Sequence, residues 1–230
     1  MSNSVMWFRR DLRLEDNPAL IAASKAGNNG ASCEVTPLFV LDPMFLERSG
    51  APRLAFLFRS LRELNREMNG TLVVRVGNPV DVVAKVAQEV GATEVFAAKD
   101  FAPYGQKRDA AVGAALRKVG VNLNQVGSAY AVEPGTVRKA DMTPYAVFTP
   151  FSKIWLAHGW PAPTDKAKVK FRGAPEIASE KIPDDPPLTA TIAAAGKKAA
   201  WDRWQYFVEN ALDKYKSERN NPDRDGCSQM

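Results

Sequence analysis

Val5-Met6-Trp7-Phe8-Arg9-Arg10-Asp11-Leu12-Arg13-Leu14-Glu15-Asp16-Asn17-Pro18-Ala19-Leu20 changes character twice, and the two changes decide the fold. Val5 to Phe8 is apolar without a break, so it reads as a strand buried on both faces; a half-exposed strand would alternate. Asn17-Pro18 then opens a helix. Asparagine supplies an N-cap acceptor, proline suits the first helical position, and Ala19, Leu20, Ala22 and Ala23 follow, with Gly27 as the expected stop. Between strand and helix lies an ionic run in place of a glycine-rich phosphate loop.

The same alternation continues outward. Strands are expected at 35–41, 71–76, 94–98 and 122–126. The helix between the second and third strands repeats Leu54, Leu57, Phe58, Leu61, Leu64 and Met68 at three and four residue steps and ends at Asn69-Gly70. Gly77-Asn78-Pro79 repeats the cap-plus-proline device ahead of Val82, Val83, Val86 and Val90, and a further helix is expected over 108–119. Strands alternating with helices give an α/β fold: a Rossmann-like, doubly wound, five-stranded parallel sheet, followed by an extended connector and one or two helices. The expected domains are 1–130 for the α/β unit, 131–196 for the connector, and 197–230 for the start of a helical domain. In such sheets ligands sit beyond the carboxyl ends of the strands, which directs attention to residues 9–17, 42–53 and 99–108.

Composition narrows the function. The chain has 230 residues, 31 Lys+Arg and 26 Asp+Glu, a net charge of +5, and is 45 % hydrophobic. That is the balance of an ordinary globular protein, with too mild a basic excess to indicate nucleic acid by charge alone. No apolar run is long enough for a membrane helix, and no secretory leader opens the chain, so no membrane partner and a cytoplasmic setting are expected. One histidine, His158, and two distant cysteines, Cys33 and Cys227, cannot supply a zinc site, and no nucleophile elbow accompanies them. His158 reads as an interfacial or exposed side chain. The ionic run 9–16 is either a structural salt-bridge web or the wall of a polar ligand site. Six prolines between 159 and 196 mark the connector, with Lys166, Lys168, Lys170 and Arg172 as a small basic cluster. Trp201, Trp204, Phe207, Val208, Ala211, Leu212 and Tyr215 then trace one face of a helix expected to end near Asn220.

The opening stretch resembles the signature of the DNA photolyase and cryptochrome family. Similar stretches follow in order: Val40-Leu41-Asp42-Pro43, Gly77-Asn78-Pro79, Asp100-Phe101-Ala102-Pro103-Tyr104-Gly105 ahead of Arg108-Asp109, and Pro144 to Phe151 entering the connector. The resemblance implies an N-terminal antenna domain that supports light-driven splitting of pyrimidine dimers by reduced FAD. FAD and the flipped lesion would be held by a larger helical domain, of which this chain resembles only the beginning. Only Tyr215 and Ser228 fall on positions resembling flavin contacts, so FAD binding is expected only when a helical half is supplied. Two antenna types recur in the family. Ala51-Pro52-Arg53 and the stretch from Asp100 resemble deazaflavin users, whereas the folate users' Asn-Glu pair would fall on Tyr104-Gly105; deazaflavin is therefore favoured over methenyltetrahydrofolate. The implied antenna residues are Phe8, Arg10, Asp42, Arg53, Asp100 and Tyr104.

Three functional readings follow. The first is the antenna half of a photolyase, inactive alone, whose partners are the helical FAD-binding half and, through the complete enzyme, UV-damaged DNA. The second is a stand-alone, non-enzymatic module of the same fold that binds a nucleotide-like ligand or a protein, or pairs with itself through the Trp201 to Tyr215 face. The third is weak nucleic-acid binding through the connector's basic cluster.

Overall fold

The computed structural model describes residues 2–26, 33–166 and 168–227. In chain order its elements are β1 (Ser2–Phe8), α1 (Pro18–Ser24), β2 (Cys33–Leu41), α2 (Pro43–Arg48), α3 (Ala51–Glu67), β3 (Val73–Val76), α4 (Pro79–Glu89), β4 (Glu94–Lys99), α5 (Pro103–Lys118), β5 (Asn122–Ser128), α6 (Phe148–His158), β6 (Lys170–Phe171), α7 (Lys197–Asn210) and α8 (Tyr215–Glu218). The expected stop at Gly27 lies outside the described residues. No described helix is long and apolar enough to cross a membrane.

The chain divides into two units, one of residues 1–43 and 71–180, the other of 44–70 and 181–230. In the first, β1 is the central strand of a parallel sheet ordered β3-β2-β1-β4-β5. Its odd residues Val5 and Trp7 join Leu38, Val40, Val73, Val95 and Ala97 in a core shared with Val83, Val86 and Ala87 of α4 and Val112 and Leu116 of α5. Its even residues face the other way, where Ser4 Oγ donates to the Ala23 carbonyl at the end of α1 (2.9 Å). Burial on both faces is why the strand shows no alternation. Both expected caps form: Asn17 accepts from Leu20 N and Asn78 from Val80 N.

Two expectations about this unit are corrected. The helix expected at 108–119 starts at Pro103, five residues earlier. Ala102 at its N-cap has no capping side chain, but Asp100 accepts from the Ala102 N–H (3.1 Å), an acceptor placed two residues ahead. The connector, expected over 131–196 as an extended span outside the α/β unit, is in part built into the sheet. β6 pairs with β2 at Glu34 and Val35; since β1 occupies one whole edge of β2, β6 shares the other with β3, which takes Leu38 to Leu41. Ala174 N then donates to Thr71 O, Glu180 N to Val74 O, Val74 N to Ser179 Oγ, and Ile177 is buried in the core. These bonds satisfy backbone groups at a sheet edge, where an uncovered strand invites pairing. The boundary at 130/131 therefore cuts through one packed unit. In the basic cluster, Lys166 pairs with Glu15 (3.6 Å), Lys170 with Glu34 (2.6 Å) and Arg172 with Glu176 (3.4 Å), so three of its four cations have a carboxylate partner.

In the second unit, Arg59 Nε meets Asp185 at 2.6 Å, and Arg62 meets the same carboxylate and the Pro183 carbonyl, tying the span after 181 to α3. α7 buries Phe207 against Trp204 and Tyr215. The helix expected to run to Asn220 breaks at Asn210, whose side chain donates to the Tyr206 carbonyl and competes with the ladder, and α8 resumes at Tyr215. Trp201 (55 %), Leu212 (46 %) and Tyr215 (38 %) stay exposed.

Candidate functional site

The strand order turns at β1, flanked by β2 and β4, so the crevice of a doubly wound sheet lies beyond the carboxyl ends of these strands. A shallow crevice is found there. Arg9 and Arg10 after β1, Lys99 and Asp100 at the end of β4, and Ala129 and Tyr130 after β5 line it; its empty space of about 310 Å³ includes open solvent, so the crevice is an open groove and not an enclosed cavity.

The ionic run divides into two roles. Arg9, Asp11, Arg13 and Asp16 are structural. Arg9 is held by Asp109 (2.5 Å) and by the Ala98 carbonyl; buried Asp11 accepts from the Arg9 N–H and the Asn17 amide; Arg13 Nε donates to the Asp16 carbonyl. Asp16, in a left-handed conformation (φ 47°), accepts from Thr164 N at 2.8 Å. Arg10 differs: it is exposed on the crevice wall, and its charge acts on Asp100.

Asp100 shapes the floor. Burial opposes its charge, but the Ala102 N–H and the guanidinium groups of Arg10, Arg108 and Arg9 outweigh that cost and hold its carboxyl below the ordinary value. Arg108 reaches it at 3.2 Å. Gly105 permits this geometry, since a Cβ there would lie 2.2 Å from Asp100 Cγ. Tyr104 projects from the same turn, and its hydroxyl donates to Asp42 Oδ2 at 2.5 Å, spanning from the start of α5 to the end of β2 across the mouth of β1. Burial, the bond to Asp42 and that carboxylate's charge push the phenol up to about 12. The Tyr104 ring lies 5.7 Å from the Arg108 guanidinium, so Asp42, Tyr104, Arg108 and Asp100 form one chain of contacts.

Of the six antenna residues, four thus stand at the carboxyl ends of adjacent strands: Arg10, Asp42, Asp100 and Tyr104. Of these four only Arg10 and Asp100 line the crevice, and Phe8 is wholly buried in the core. Arg53 is exposed on the first turn of α3, in the second unit. The reading of the sequence missed Arg9, Arg108 and Asp109 as one cluster. Asp109 receives Arg9, Arg108 (Nε 2.9 Å, Nη2 2.8 Å) and Gln125 (2.7 Å) while only 5 % exposed. A signal existed: 105, 109, 112, 113 and 116 share one buried helix face, and a carboxylate on such a face needs buried partners.

Whether these residues fit a cofactor follows from their chemistry. Arginine and lysine donors, carboxylate acceptors and the Tyr130 ring beside Ala98 and Ala129 suit a planar, polar heterocycle. FAD does not fit what is described. Tyr215 packs edge-on to Phe207 with Arg219 over its ring, Ser228 lies outside the described residues, and one side chain cannot enclose a flavin dinucleotide.

The DNA photolyase family model matches residues 4–169. The chain is 34 % identical, over its full length, to a deoxyribodipyrimidine photo-lyase of Thermus thermophilus, of which it covers 50 %. It is 32 % identical over 97 % of its length to an uncharacterized 31.6 kDa protein in the atpI 5' region of Synechococcus sp. strain PCC 6716, of which it covers 81 %. Among solved structures, a bacterial class III photolyase from Agrobacterium tumefaciens superposes with a TM-score of 0.80 at 26 % identity, over 99 % of this chain and 48 % of that one. The chain spans about half the length of the photolyases it matches.

Proposed function

We propose, from the premise that this chain belongs to the DNA photolyase family, that it is the light-harvesting part of a system for repairing pyrimidine dimers. It would hold a planar antenna chromophore of the deazaflavin type beyond β1 and β4 and work with a helical FAD-binding half. The observation that carries this reading is the polar set at the switch point: exposed Arg10 beside ionised Asp100, with the Tyr104–Asp42 bridge across the mouth of β1. When bound, the chromophore supplies absorption of light and passes its excitation to the flavin. The chain's own residues bind and orient. Arg10 offers a charge-assisted donor to a ring carbonyl or anion. Tyr104 keeps its proton throughout the physiological range and donates it to Asp42, which fixes the bridge across the mouth of β1. Asp100 is fixed by its own bonds and keeps the floor of the crevice in one shape. The exposed face of Trp201, Leu212 and Tyr215 is the surface proposed to meet the helical half.

The test supplies the second half of the Thermus thermophilus relative as a separate polypeptide with FAD and damaged DNA. Light-dependent dimer splitting whose action spectrum gains a band at the deazaflavin absorption maximum when this chain is added supports the proposal. An action spectrum identical with and without the chain overturns it. A second reading, a stand-alone module that binds a nucleotide-like ligand or a protein without repair, draws on the 31.6 kDa relative, four-fifths of which this chain covers. Under that reading adding a helical half changes nothing.

A further inference from the structure

Trp7, next to last in β1, has 2 % of its surface exposed, and two guanidinium groups lie over its ring: that of Arg9 at 4.6 Å from the ring centroid and that of Arg108 at 5.1 Å. Both are fastened from behind. Asp109 holds Arg9 at 2.5 Å and Arg108 at 2.8 Å, the Ala98 carbonyl takes the rest of Arg9, and Asp100 takes Arg108 at 3.2 Å. Asp100 and Asp109 offset these cations in sum, yet it is the cations that are stacked on the indole. Arg9 also lines the crevice, so a residue in contact with the indole is part of the crevice wall.

This placement matters because indole is the most readily oxidised side chain near the crevice. An electronically excited flavin-type heterocycle accepts an electron from a nearby indole and loses its excitation in doing so. We propose that the stacked guanidinium groups of Arg9 and Arg108 hold Trp7 redox-silent, so that a chromophore above it is not quenched. Cations are drawn to the electron-rich face of a neutral ring. Once one electron leaves the indole for the excited acceptor, the ring itself carries a positive charge and the same contacts become repulsive. Oxidation is therefore opposed by the geometry that makes the neutral stack favourable. The meaning of this for light harvesting rests on the antenna reading above; the redox property of Trp7 does not.

The experiment uses the full chain with Trp155, Trp160, Trp201 and Trp204 replaced by Phe, leaving Trp7 as the sole indole. Flash-generated ruthenium(III) polypyridyl oxidants of graded potential give its oxidation rate and potential by transient absorption. The potential is expected above that of free N-acetyltryptophanamide, and Arg108→Gln is expected to speed oxidation by about tenfold while Arg108→Lys stays near the parent. A Trp7 potential at or below the free amide's overturns the proposal, and this arm needs no variant at the arginines. So does an unchanged rate in a folded Arg108→Gln chain. In a second arm, 5-deazariboflavin is bound to the same chains and its fluorescence lifetime is measured. A lifetime shortened by Arg108→Gln and restored by adding Trp7→Phe supports the proposal. An equal lengthening by Trp7→Phe in the parent overturns it. Failure of 5-deazariboflavin to bind at all counts against the antenna reading, and the oxidation rates still decide the property of Trp7.

Discussion

Replacing Gly105 by alanine adds one methyl group where the structure has no room. The new Cβ would lie 2.2 Å from Asp100 Cγ and 2.3 and 2.6 Å from its oxygens, so the carboxylate must leave. With it go the cap on Ala102 N (3.1 Å) and the bond from Arg108 (3.2 Å). The cap is worth about 1 kcal/mol, the largely buried ion pair about 1 kcal/mol, and the displaced backbone and side chains about 1–3 kcal/mol. Against these stands the helix preference of alanine over glycine, at most about 1 kcal/mol and less in a first turn. The losses win, and Gly105→Ala is expected to destabilise the fold by about 2–4 kcal/mol, read as a shift in the urea midpoint at pH 7. The cause is checked by a double-mutant cycle. In an Asp100→Ala background the clash partner is gone, so adding Gly105→Ala there should cost little and the coupling energy should exceed about 1 kcal/mol. A Gly105→Ala chain as stable as the parent, or additive losses in the double mutant, would refute the reasoning.

Three further outcomes are expected. Because the folded phenol of Tyr104 holds its proton up to about pH 12 against an ordinary value of 10.0, the stability it contributes is whole below pH 10 and is lost as the pH rises towards 12. A difference absorbance titration against Tyr104→Phe should show that late step, and Asp42→Asn should move it down. Gly173→Ala would put a Cβ 1.9 Å from the Thr71 carbonyl oxygen and lift the strand formed by β6 off the sheet; a loss of about 3 kcal/mol and new protease cleavage within 170–180 are expected. Asp109→Ala leaves the guanidinium groups of Arg9 and Arg108 without their shared carboxylate, and about 3–5 kcal/mol should be lost in the same urea assay.

Much of the fold was readable because its signals are local. The unbroken apolar run at Val5 to Phe8 and the Asn-Pro pairs at 17 and 78 each report on their own neighbourhood, and each formed the element expected. The start of α5 was misplaced because its cap comes from Asp100, outside the helix, rather than from the residue before Pro103. The role of the connector was hidden for a different reason. Proline density describes a segment's own conformational preferences, whereas β6 is defined by backbone bonds to Glu34 and Val35, more than a hundred residues away. At the site, the charged residues after β1 and β4 pointed to the right end of the sheet. Their division into structural Arg9 and exposed Arg10 depended on Asp109, which lies a hundred positions from Arg9 and reveals itself only once helix α5 is placed on the sheet.

The most direct test of the antenna assignment is an equilibrium titration of the purified chain with 5-deazariboflavin, followed by ligand fluorescence and absorbance. One saturable site is predicted, with Arg10→Ala raising Kd by about tenfold, the loss of one charge-assisted hydrogen bond, and Arg138→Ala, exposed on the connector and not part of the crevice lining, leaving it unchanged. No spectral change on mixing, or a Kd indifferent to Arg10, would contradict the assignment.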